Sequence, residues 1–175
     1  MNTYMVLAQD LTTIDGLPLH PLVVHAVVVL LPLAAVSAIL IALRPAWRRR
    51  FGWPVLAVTV LGAASVPVAA FSGDQLNVAL GGGNPVIAEH SARASVLLPI
   101  AIGFAVAVLV LVLAGRVADR EADPTDSRAR VWRLISVAAA VLTVVLAVGT
   151  TVQVVRTGHS GSSAVWDGRV PTNGG

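Results

Sequence analysis

The stretch Pro21–Leu43, PLVVHAVVVLLPLAAVSAILIAL, contains one ionisable side chain, His25, and is closed by Arg44-Pro45. Roughly 20 apolar residues in helical conformation cross about 30 Å of hydrocarbon, so this run is long enough to span a bilayer. Its end is equally plain. A guanidinium is costly inside lipid, and proline cannot continue the helical hydrogen-bond ladder.

Three further runs repeat the pattern. The second extends from Pro54 to about Phe71, with Pro54 suited to a first helical turn and Pro67 expected to kink the interior. Its Gly62, Ala63, Ala64, Ser65, Ala69 and Ala70 are small enough to let neighbouring helices approach closely, which places it inside a bundle. The third span covers about 92–115 and the fourth about 134–155, stopped by Arg156. Composition agrees: 56% of the 175 residues are hydrophobic and 12% charged, with a mean hydropathy of +0.82. The fold class read from this is all-α, a four-helix transmembrane bundle.

Between the spans, Ala46–Trp53 reads as a basic connector and Ser72–Gly83, with its Gly73-Asp74 and Gly81-Gly82-Gly83, as an irregular loop. Asn84-Pro85 then has the form of an N-cap and a first-turn proline, so the third helix is expected to begin well before its apolar part, with Glu89 and Arg93 spaced as an ion pair. Arg116–Arg133 is an aqueous connector. The chain divides into a short segment 1–16, a transmembrane domain 17–156 and a Gly- and Ser-rich tail 157–175, mobile unless it folds back on the bundle. Met1–Gly16 holds no basic residue and does not resemble a cleaved signal, which leaves insertion to the first span.

Orientation follows from the arginines, since lysine is absent. Arg44, Arg48, Arg49 and Arg50 follow span one, and Arg116, Arg120, Arg128, Arg130 and Arg133 follow span three, against Arg93, Arg156 and Arg169 on the other side. Both basic connectors are expected to face the cytoplasm of a cell-membrane protein, with both termini non-cytoplasmic. The pI near 11.0 therefore reports topology and implies no nucleic-acid partner; the lipid bilayer is the first partner.

This topology brings His20, His25, His90 and His159 to one leaflet. With no cysteine in the chain, thiolate clusters and covalent c-type haem are excluded, and imidazole is the natural ligand for a transition-metal ion or haem b. His25 and His90 form the leading pair. His20 and His25 lie about 140° apart around an ideal helix and cannot both enter one tight site unless His20 precedes regular helix. Arg93 and Arg156 sit at the depth of haem propionates, and Asp74 or Glu89 could orient an imidazole. Taken singly, His20 and His159 also read as ordinary interfacial residues. Gly81-Gly82-Gly83 follows no strand and precedes no Lys-Ser/Thr, so it is a flexible loop and not a phosphate cradle. The scattered carboxylates support no catalytic site.

The segments LPLHPLVVH (17–25), EHSA (89–92) and TGHSG (157–161) through Ala164-Val165-Trp166 resemble the bacterial membrane-protein family catalogued as domain of unknown function 2231. The resemblance covers Leu17 to Trp166 and implies a four-helix membrane fold, with no activity attached. Ala26 stands where the family often has an aromatic residue, and the next proline waits until Pro32. Two functions stay open: an electron-transfer subunit binding haem b or a metal ion for another membrane or redox protein, and a cofactor-free scaffold or assembly partner of a membrane complex. Transport is disfavoured, because His25 is the only ionisable side chain inside the uncharged runs of the spans, the third of which begins at Ala94.

Overall fold

A computed structural model of the chain describes residues 13–14, 16–79, 81–121 and 126–166. Most of the expected N-terminal segment and the tail beyond Trp166, Arg169 included, lie outside these. Two-residue strands β1 (Thr13–Ile14) and β2 (Leu17–Pro18) pair antiparallel around Gly16 and lead into helix α1, Leu19–Leu43. Helices α2 (Pro45–Ala79), α3 (Pro85–Arg120) and α4 (Ser127–Trp166) follow. All four are long and apolar enough to cross a membrane.

The helices outrun the expected spans. Ala46–Trp53 is not a connector but the opening of α2, because Pro45, with no N–H to lose, takes the first helical turn; Pro54 is interior instead. Ser72–Gly83 is helical as far as Ala79. The glycines then terminate α2: Gly81, Gly82 and Gly83 adopt φ of 93°, 66° and 76°, and the Gly81 and Gly82 amides donate to the Val78 and Asn77 carbonyls. Within the tail, residues 157–166 continue α4. The start of α3 is as read from the sequence, with Asn84 Oδ1 accepting from the Val86 amide at 2.9 Å and Pro85 in the first turn.

Each helix packs chiefly on its sequence neighbour in a hairpin, α1 on α2 and α3 on α4. The hairpins then meet through two equally extensive contacts, α2 with α3 and α4 with α1, while α1 and α3 stand on a diagonal and scarcely touch. The hairpins also share a register. A shift of 70 positions carries the buried Val27, Leu31, Ala34, Ala38 and Ile41 of α1 onto the buried Leu97, Ala101, Phe104, Val108 and Leu111 of α3. A shift of 88 carries the buried Arg48, Val55, Thr59, Val66 and Ser72 of α2 onto the buried Ser136, Thr143, Ala147, Val154 and Ser160 of α4. The bundle is a tandem repeat of one hairpin, arranged as though about an axis running along the helices.

Packing explains which residues fill these positions. Lipid supplies no hydrophobic drive between helices, so close contact and polar ties must hold the bundle. Gly62 lies so near α1 that a Cβ there would meet Leu31 Cδ2 at 3.0 Å. At the end carrying most of the arginines, Arg48 crosses to the opposite hairpin: Nη1 donates to Ser136 Oγ at 2.9 Å, Nη2 lies 3.9 Å from Asp119, and the side chain is 9% exposed. Gly115 makes room for it.

Candidate functional site: a paired histidine clamp

At the other end of the bundle, each hairpin holds one imidazole in the same way. His20, in the first turn of α1, reaches across to α2, where Nδ1 lies 2.9 Å from the Ala69 carbonyl oxygen and 3.4 Å from Ser72 Oγ. Its ring lies against Gly73, where a Cβ would come within 2.9 Å of Cε1. His90, in the second turn of α3, reaches α4, where Nδ1 lies 3.1 Å from Ser160 Oγ and a Cβ on Gly161 would come within 3.0 Å of Cε1. A carbonyl, a serine three residues later and a glycine after that form each clamp.

The hydrogen bonds fix the tautomer. A carbonyl can only accept, so His20 Nδ1 must carry the proton it shares with Ala69. On α4, Ser160 Oγ donates to the Thr157 carbonyl at 2.8 Å and so offers a lone pair to His90 Nδ1–H. Ser72 donates to Ala69 in the same manner at 3.0 Å. Both Nε2 atoms then carry free lone pairs, with no hydrogen-bond partner among the described residues. Both rings are half-buried. Ligating histidines are generally held in this way, by a hydrogen bond from the other ring nitrogen to a carbonyl, carboxylate or other acceptor.

The other expected site residues are elsewhere. His25 does not meet His90: it is exposed and its Nδ1 bonds to the Pro21 carbonyl of its own helix, because five residues of helix turn it away from the face His20 uses. His159 is exposed, one position off the buried Ser160. The four histidines therefore form no cluster, and no group of three or more His, Asp or Glu converges on one point among the described residues. Asp74 is exposed and Glu89 pairs with Arg93, so neither orients an imidazole. Arg93 and Arg156 line an open groove of about 670 Å³ between α3 and α4 with Glu89, Ala92, Val96 and Gln153; neither clamped histidine contributes to it.

What sequence reading missed is the acceptor side of each clamp. Read locally, Ser72-Gly73 belongs to a loop and Ser160-Gly161 to a tail that is mobile unless it folds back on the bundle, yet the dipeptide recurs near the end of each hairpin's second helix. That repetition, 52 residues after His20 and 70 after His90, was the available signal.

The clamp yields a direct expectation. Ser160→Ala removes the hydroxyl that holds Nδ1, and Gly161→Ala pushes the ring from its seat. Each should weaken ligand binding at Nε2 by about 10- to 100-fold, the usual cost of losing an orienting partner, with little change in the helical circular-dichroism signal. Titration of the purified variants with the ligand measures it.

A family model described as predicted membrane protein (DUF2231) matches residues 16–174. No curated protein matches the chain, and no solved structure does.

Proposed function

The chain belongs to the membrane-protein family catalogued as domain of unknown function 2231, and on that premise we propose that its clamped histidines form a bis-imidazole site for haem b in an electron-transfer subunit. The observation that carries the proposal is the pair of Nδ1-anchored rings, His20 and His90, offered by diagonal helices of two like hairpins. Two neutral nitrogens are too few for a bare zinc ion, which takes four ligands in structural sites and three plus water in catalytic ones. With no third ligand gathered among the described residues, the metal best suited is one that brings its own equatorial donors, as iron in a porphyrin does.

The residues' own tasks in this reading are limited and specific. Ala69 and Ser72 hold the His20 ring, and Ser160 the His90 ring, in the Nδ1–H tautomer; Gly73 and Gly161 set their depth; His20 and His90 would hold the haem iron through their Nε2 lone pairs. A haem held there would supply one-electron chemistry, and the hydrogen bonds to Nδ1 would tune its potential. The arginine-rich end faces the cytoplasm in this reading, by the positive-inside rule, and the clamp faces outward in the cell membrane.

The test is the oxidised and dithionite-reduced visible spectrum, with metal analysis, of protein purified in mild detergent from cells supplied with iron and haem. A low-spin six-coordinate signature supports the proposal. A featureless spectrum without bound metal overturns it and leaves the cofactor-free scaffold as the reading to pursue.

A further inference from the structure

The groove between α3 and α4 at the histidine end is a site of a different kind. Arg93 and Arg156 enter it from adjacent helices, and each stands immediately outside an uncharged run, Ala94–Gly115 for one and Leu134–Val155 for the other. Both guanidinium groups are thereby set at one depth, where hydrocarbon gives way to headgroups. Gln153 Nε2 donates to the Arg93 carbonyl at 2.8 Å and ties the two helices together across the groove. Glu89 engages only Nη2 of Arg93, leaving its other donors free, and Arg156 has no ion-pair partner among the described residues.

The hairpin repeat supplies a control within the same molecule. The positions equivalent to the six lining residues are Leu19, Leu22, Val23, Ala26, Ser65 and Val68, five of them apolar. The fold therefore does not require a polar groove here. The second hairpin carries one that the first, on the same scaffold, lacks.

We propose that this groove binds the phosphate of an anionic phospholipid headgroup from the leaflet at the histidine end. Two planar guanidinium groups converging from neighbouring helices suit a phosphate, which accepts several N–H bonds at once, and the groove keeps a net charge of +1 after Glu89 is counted. Val96, within the uncharged run, continues the lining toward the membrane interior, where acyl chains lie. The site does not depend on the histidine clamp, whose residues it does not share.

The experiment uses the full chain purified in mild detergent, exchanged into mixed micelles containing phosphatidylglycerol or phosphatidylcholine, with retained lipid counted by native mass spectrometry. Wild type is expected to keep phosphatidylglycerol in preference to phosphatidylcholine. Arg156→Gln, an exposed and unpaired residue whose loss leaves the fold undisturbed, should reduce retention about fivefold, and Arg93→Gln/Arg156→Gln about 25-fold, at roughly the electrostatic worth of one arginine each near a lipid surface. Equal retention in the Arg156→Gln protein and wild type overturns the proposal, as does displacement by millimolar inorganic phosphate, which would make free phosphate the ligand. Loss of lipid in His20→Ala/His90→Ala protein would also overturn it, by assigning the arginines to the histidines' cofactor.

Discussion

Protein carrying His20→Ala, purified with haem supplied, is expected to show a five-coordinate, high-spin spectrum in place of the six-coordinate, low-spin spectrum of wild type, with affinity lower by about 100-fold or more. The figure is a lower bound taken from orienting partners, whose loss alone costs about 10- to 100-fold, whereas His20 supplies the ligand nitrogen itself. His90→Ala should behave alike, because the two clamps are built alike: Nδ1 anchored at 2.9 Å to the Ala69 carbonyl in one, at 3.1 Å to Ser160 Oγ in the other. The double variant should be colourless. His25→Ala and His159→Ala should leave the spectrum unchanged, since both side chains are exposed and His25 is engaged by its own helix. If His25→Ala were the variant that lost the cofactor, the assignment of the clamp would be wrong even with haem bound.

The second large effect lies at the opposite end. An alanine Cβ at Gly115 would collide with Arg48 Nε, so Gly115→Ala must evict the guanidinium from its buried seat. The bond to Ser136 and the approach to Asp119 go with it, and a hydrogen bond to a charged group contributes about 1.5–3 kcal/mol. Gly115→Ala should therefore destabilise the detergent-solubilised protein by about that amount. In an Arg48→Met background the clash is with a shorter, uncharged chain that has no partner to lose, and the same substitution should be nearly neutral. Thermal unfolding of the four proteins of this cycle measures the coupling. Additive effects would mean that Gly115 serves helix packing and not the arginine.

The two predictions test the two ends of one repeat. Arg48 and Ser136 occupy equivalent positions in the two hairpins and meet each other, whereas Ser72 and Ser160, also equivalent, each hold a histidine of their own hairpin. The repeat closes on itself at the arginine end and presents paired groups at the other.

The sequence by itself determined the class of structure and the number of spans. Uncharged runs of sufficient length, each bounded by arginine or proline, admit little else in a bilayer, because every backbone polar group in lipid must be satisfied within its own segment. Local rules likewise located the Asn84-Pro85 start of α3 and the Glu89–Arg93 pair, since both depend on residues a turn apart. The ends of α2 and α4 were not legible. Gly73 and Gly161 look like breakers when read locally, and are helical because an imidazole from the preceding helix occupies the space a side chain would fill. Which histidines are clamped, His20 and His90 and not His25, was decided by tertiary structure alone: hairpin register sets which ring meets a Ser-Gly seat on the neighbouring helix, and periodicity along one helix carries no information about the distance to another.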